Sequence, residues 1–352
     1  MTPRRRTGLA AAVVAAVVVV AVAVVLVRQG AHDGGGSGSA AGPQPVPTPA
    51  VPAPSHRSCA SHPDVVVRNG PDLEDALSHA RPGSSIRVAD GTYDGEFTIS
   101  SSGTAKKPIE LCGNRRAVLS GGPVDGGYTL HLDGASYWRV VGLTIEGGQK
   151  GLMADRAVGN VIDGITVRKV GDEAIHLRDN STDNVVERST VRGTGLRKPQ
   201  YGEGIYVGTA ESNWCDVSDC DPDHSDRNVV RGNDVADTTA ESVDLKEGTS
   251  DGVLADNTFS GAGMSEGDSW VDVKGNGWTI SGNRGTEAPE DGFQVHQILD
   301  GWGQHNTFKD NRAQVSAGGY AINVTKQHDG NVVTCSNVAR AAGSGLTNID
   351  CT

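Results

Sequence analysis

The sequence predicts an all-β solenoid of short parallel strands, and three observations carry that prediction. An apolar-polar-apolar pattern recurs at 174–178, 204–208, 242–246, 270–274, 292–296 and 321–325. A second series of β-branched segments starts at Asn160, Asn184, Asn228, Gly252 and Asn331, and its equivalent Asn falls at Asn233, Asn257, Asn283, Asn311 and Asn337. The steps along those five are 24, 26, 28 and 26 residues, a period at which stacked coils share one core and repeated Asn side chains can form hydrogen-bonded ladders. Helical periodicity is nearly absent after Gly83.

The elements follow in chain order. Residues 8–27 are continuously apolar behind Arg4, Arg5 and Arg6, which predicts a signal anchor or signal peptide over 1–30 with the rest of the chain outside the membrane. Residues 31–57 are Gly/Ser-rich and then Pro-rich, a tether with nothing to bury. Residues 58–352 form the solenoid domain. A helix is expected at 71–80, opened by Pro71, acidic in its first turn and stopped by Pro82 and Gly83; Leu73, Ala76, Leu77 and Ala80 line one face that suits an N-terminal cap on the first coil. The first strand and turn then run over 85–93.

The net charge of −12, from 43 acidic and 31 basic residues, argues against nucleic acid as the partner and leaves room for an acidic polymer at a local basic cluster. All six cysteines lie in the exported part, where oxidation is favoured. Fifteen pairings are possible; closeness in the chain favours Cys215–Cys220 and Cys335–Cys351, leaving Cys59–Cys112.

The capping helix, the Pro-Gly stop, the strand ending Gly91-Thr92-Tyr93 and the coils that follow resemble the entry to right-handed parallel β-helix proteins of the pectate-lyase-like superfamily. The resemblance implies a single-stranded right-handed parallel β-helix of about ten coils, and the fold hosts lyases, hydrolases and non-enzymatic adhesins alike.

Because side chains alternate along a strand, His176, Tyr206, Asp244, Asp272, Gln294 and Asn323 face outward in one column, with Arg178, Gly208, Lys246, Lys274, His296 and Thr325 in a second. Stacked coils bring Asp244, Lys246, Asp272 and Lys274 into a square of charges. Glu173, Glu203, Glu241 and Asp291 repeat just before the strands as an acidic rim. The segment 242–248 resembles the lysine-bearing coils of polysaccharide lyases of the ninth family, although the consecutive Asp-Asp pair of their calcium cluster is missing. Glu203, Glu241, Asp244 and Asp272 are hard oxygen ligands that suit calcium. The resemblance implies Asp244 as a metal ligand and Lys246 as catalytic base, and Lys274 is the reserve candidate for the base. His176, Arg178, Tyr206, Trp214, Trp270 and His296 are the candidate sugar contacts.

An insertion over 210–226 breaks the coil length, carries Asp216, Asp219, Asp221, Asp223 and Asp226 without EF-hand spacing, and is placed to overhang the groove with Trp214 toward a ligand. The expected function is an extracellular, monomeric polysaccharide lyase acting on an acidic glycan. The competing readings are a glycoside hydrolase using Asp244 and Asp272, a non-catalytic glycan-binding protein, and an inert ladder of opposite charges.

Overall fold

The computed structural model describes residues 59–326 and 330–352, and the segments 1–30 and 31–57 lie outside them. Three parallel sheets of 11, 10 and 10 strands wind around one core as a right-handed β-helix; each coil gives one strand to each sheet. Val243–Leu245 in sheet II, Val253–Ala255 in sheet I and Thr258–Ser260 in sheet III make up one such coil. Strands of three residues suffice because each inner strand is bonded on both flanks.

The turn from sheet I to sheet III shows how the sequence fixes the corner. One residue there takes a left-handed conformation, such as Gly232 (φ 62°), Asp256 (φ 55°), Gly282 (φ 67°) or Asp310 (φ 58°). Gly and Asp tolerate that region best. The next residue is the ladder Asn. Asn257 is representative: its Nδ2 donates to Asn283 Oδ1 (2.9 Å) and to Val230 O (3.0 Å), while its Oδ1 accepts from Asn233 N (2.9 Å) and Nδ2 (3.0 Å). Backbone groups that the bend removes from the sheet are thereby satisfied without water.

A second ladder, Asn160 to Asn184 to Asn228, stops at Gly252 for a steric reason. A Cβ at 252 would lie 2.3 Å from the Trp278 ring, so the indole of the next coil occupies the space. The Asn ladder resumes one coil later, where Trp278 N donates to Asn306 Oδ1 at 2.8 Å.

The core is a column of Val, Ile and Leu with aromatic inserts; Phe293 meets Phe259, Phe308 and Trp270 edge to face at 5.9–6.4 Å. Helix α1 spans Gly70–His79 and buries Leu73 and Leu77 in that core. Its N-cap is Asn69, whose Oδ1 accepts from Asp72 N at 2.9 Å, so the cap lies two residues before the proline that marks the helix in the sequence. The disulfides are Cys59–Cys112, Cys215–Cys220 and Cys335–Cys351, as chain proximity favoured.

Candidate functional site

Sheet II carries the outward column in the expected register. His176 pairs with Tyr206, Tyr206 with Asp244, Asp244 with Asp272, Asp272 with Gln294 and Gln294 with Asn323. Coils about 4.8 Å apart bring these side chains into contact.

The charges form a chain of ion pairs rather than a symmetric square. Lys246 Nζ lies 2.8 Å from Asp244 Oδ2, and Lys274 Nζ bonds both Asp244 oxygens (3.0 and 2.9 Å) and lies 3.0 Å from Asp272 Oδ2. His296 Nε2 lies 3.4 Å from Asp272 Oδ1, within ion-pair range but outside hydrogen-bond geometry. Burial works against the charge on each lysine, yet Asp244 beside both, and Asp272 beside Lys274, hold the two ammonium groups well above their usual range. Asp272 is itself held ionised: burial opposes it, but Lys274 and His296 lower its pKa.

Tyr206 stands at the mouth of this cluster, its ring centroid 5.0 Å from Lys246 Nζ and 4.4 Å from the His176 ring. Burial, then the carboxylates of Asp244 and Glu203, push its phenol pKa well above 10 and keep it protonated. His176 Nε2 donates to Gly208 O at 2.9 Å and Nδ1 faces Lys150 Nζ at 3.5 Å. Burial and that ammonium lower the His176 pKa, which favours the neutral ring. Glu173 is ionised, with a pKa of about 2 that His176 and Lys150 impose against its burial.

Glu203 has no such cation beside it. Its Oε2 is buried without a hydrogen-bond partner, and burial together with Glu173 and Asp244 raises its pKa well above the usual range. Glu241 is raised to about 7, by burial first and then by Asp244 and Asp272. Oxygen atoms of Glu203, Glu241 and Asp244 lie within 4.8 Å of one another, a set that can hold a hard cation. Asp272, the fourth expected ligand, groups instead with Asp268 and His296.

A groove of about 360 Å³ runs from Tyr206 toward the N-terminal coils, lined by Lys150, Glu173, His176, Arg178 and Glu203 among others. The insertion borders it through Asn213 and Asp216, as expected of a segment leaving the coil after Tyr206. Two expected sugar contacts are corrected. Trp214 is packed inward, 8% exposed, with Nε1 donating to Thr209 O (2.9 Å), and so anchors the insertion. Trp270 is fully buried at the corner between sheets III and II, its Nε1 on Thr286 O (3.0 Å) and its ring against Gly285. The acidic insertion is likewise a structural clasp: Asp223, fully buried, accepts from Asp179 N, Asn180 N and Ser225 Oγ at 2.7–2.9 Å.

The alternating pattern does not mark the strand Lys150–Asp155, which precedes that of His176 in sheet II. Met153 sits there in the polar column and hides the repeat, yet Lys150 bonds Glu173 Oε1 (2.7 Å). Asp155 takes Arg178 Nε (2.7 Å) and His131 Nε2 (2.8 Å).

A family model described as "Periplasmic copper-binding protein (NosD)" matches residues 112–338. Among solved structures, an alginate lyase from Paenibacillus sp. str. FPU-7 is 34% identical with a TM-score of 0.73, the match covering 80% of this chain and 97% of that one. Pectate lyase Pel9A is 14% identical (TM-score 0.53, 78% and 71% covered), and the Streptococcus pneumoniae surface protein and adhesin PfbA is 14% identical (TM-score 0.55, 79% and 81% covered). At that identity these two show the fold alone. Comparison with curated protein sequences gives no match.

Proposed function

We propose, for a chain that belongs to the NosD family of right-handed β-helix proteins, a polysaccharide lyase that cleaves a uronate-containing glycan by β-elimination. The observation that carries the reading is the pairing of Lys246 with Tyr206, which lines the groove, Nζ 5.0 Å from the ring centroid. The 34% identity to an alginate lyase over nearly all of that chain supports it and makes alginate the first substrate to test.

Elimination needs a base for the proton α to the sugar carboxylate and an acid for the departing glycosidic oxygen. Lys246, as the free amine, takes the proton from C5. The C5–H electrons form the C4–C5 double bond, the C4–O4 bond breaks, and O4 leaves with the proton of the Tyr206 phenol. Lys274, tied to both Asp244 and Asp272, keeps a fixed positive charge beside the base. Arg178 and Lys150 line the groove and would meet the carboxylates of neighbouring uronates.

Glu203, Glu241 and Asp244 suit calcium, and the partnerless Oε2 of Glu203 is the atom such an ion would satisfy. Bound there, calcium would add positive charge opposite the substrate carboxylate. Copper fits poorly: every cysteine is in a disulfide, and the clusters among the described residues offer one imidazole, His296, among carboxylates. A hydrolase using Asp244 and Asp272 needs one of them protonated, whereas Asp272 is held ionised and Asp244 accepts from two ammonium groups. The disulfides fit a compartment outside the cytoplasm, with the N-terminal segment as anchor or leader.

Mass spectrometry of the products separates the two chemistries. Elimination yields fragments whose masses sum to that of the parent, and fragments heavier by one water would replace the lyase with a hydrolase.

A further inference from the structure

Sheet III carries a patch of positive charge that the groove chemistry does not use. Arg284 and Arg312 are directly paired in register on adjacent coils, and Arg340 follows on the next coil, paired with Gln314. All three are exposed and border one shallow cavity of about 320 Å³, with Thr286 and Gln314 between them. The floor is held by Gly285, where a Cβ would lie 2.3 Å from the Trp270 ring, and by the Trp270 Nε1 bond to Thr286 O.

Earlier coils of the same sheet neutralise their arginines: Arg168 with Glu146 and Arg192 with Asp234. Among the described residues, Arg284, Arg312 and Arg340 have no ion-pair partner within 4.0 Å; Glu287 and Asp310, at the strand ends, pair with none of them. Like charges directly opposite on neighbouring strands cost stability unless a counter-charge arrives. In a chain of net charge −12, they form a local cluster of unneutralised positive charge around one hollow.

We propose that this patch is a second, non-catalytic binding surface for an acidic polysaccharide whose carboxylates pair with Arg284, Arg312 and Arg340. Guanidinium forks match carboxylates in bidentate geometry. The coil rise of about 4.8 Å is comparable with the length of one pyranose unit, so a chain laid along the solenoid axis meets Arg284 and Arg312 in turn, with Arg340 two residues to the side on the next coil. The choice of polymer rests on the lyase reading of the groove. Its consequence is avidity: a polymer held on sheet III raises the effective concentration of cleavable bonds at sheet II, and a short oligomer gains nothing.

The test is affinity electrophoresis through gels containing sodium alginate, run on Lys246→Ala protein so that no turnover intervenes, with and without Arg284→Gln/Arg312→Gln/Arg340→Gln. Retardation that the triple substitution removes supports the surface. Equal retardation of both proteins overturns it, as does arginine-dependent retardation in DNA-containing gels as strong as in alginate. Because binding is read directly, a chain without lyase activity still returns an answer. In an active enzyme the triple variant should raise KM on polymer by about tenfold or more and leave kcat on a trisaccharide unchanged; an unchanged polymer KM contradicts the proposal. Unaltered thermal melting shows that the exposed substitutions leave the fold intact.

Discussion

Lys274 reaches back one coil to Asp244, its Nζ bonding both carboxylate oxygens at 3.0 and 2.9 Å while also lying 3.0 Å from Asp272. Among the described carboxylates, Lys246 pairs with Asp244 alone. The two lysines therefore divide the work, one holding adjacent coils together and the other facing Tyr206.

Removing Lys274 leaves Asp244 with Lys246 and takes from Asp272 its ammonium partner, leaving only His296 in ion-pair range. Lys274→Ala is expected to destabilise the fold by about 3–5 kcal/mol. Lys246→Ala should cost clearly less, since Asp244 keeps Lys274. Urea unfolding of both variants checks the order; equal losses would show that the two lysines are equivalent.

Activity should rise with pH into the alkaline range. Burial alone would lower the Lys246 pKa, but Asp244 raises it further, so the free amine is scarce at neutral pH and grows about tenfold per pH unit below that pKa. A kcat/KM profile on alginate that falls as pH rises from 6 to 9 (roughly the working range of enzymes) would contradict Lys246 as base. Tyr206→Phe removes the proton donor and should lower kcat by about 10²-fold or more.

Asp155 offers an acid-side test. Burial opposes its ionisation, but His131 and Arg178 hold its pKa well below the usual carboxylate range. A depressed folded-state pKa adds stability above the unfolded value, and that stability is lost as pH falls through the folded one. Asp155→Asn should therefore cost on the order of 3 kcal/mol at pH 7. The gap to the wild type should shrink as pH falls below about 4, measured by thermal melts across pH.

Each ladder asparagine has a defined share. Asn257→Ala strands Asn233 N and Val230 O at once and should cost about 1–3 kcal/mol per buried group left unpaired. Chemical denaturation measures it, and a loss under about 0.5 kcal/mol, the size of an ordinary surface substitution, would mean that water replaces the ladder.

If calcium occupies the carboxylate set, it should raise the melting temperature, and a chelator should reverse the shift. Glu203→Gln should abolish that calcium dependence while leaving a folded protein. A calcium response unchanged in Glu203→Gln would place the ion elsewhere.

The fold and the polar column were legible because strand alternation is rigid: once Val243 and Leu245 face the core, Asp244 must face out, and its neighbours follow coil by coil. The Asn repeats were legible for a related reason, since only a side chain with both donor and acceptor can bridge identical turns. Trp270 was misread because it sits at a corner, where alternation no longer decides direction. The signal lay in other coils, in Gly285 and Gly292, whose missing side chains make room for the indole. Lys150 and Asp155 were passed over because Met153 interrupts the polar column between them. The partition of the lysines depended on reach across coils, which spacing along the chain does not encode.

The most direct test is incubation of the purified chain with alginate while following ultraviolet absorbance of the unsaturated product. Wild type should generate it steadily, and Lys246→Ala, folded as shown by its melting curve, should not. Flat absorbance with the wild type across alginate and other uronate polymers would contradict the lyase assignment.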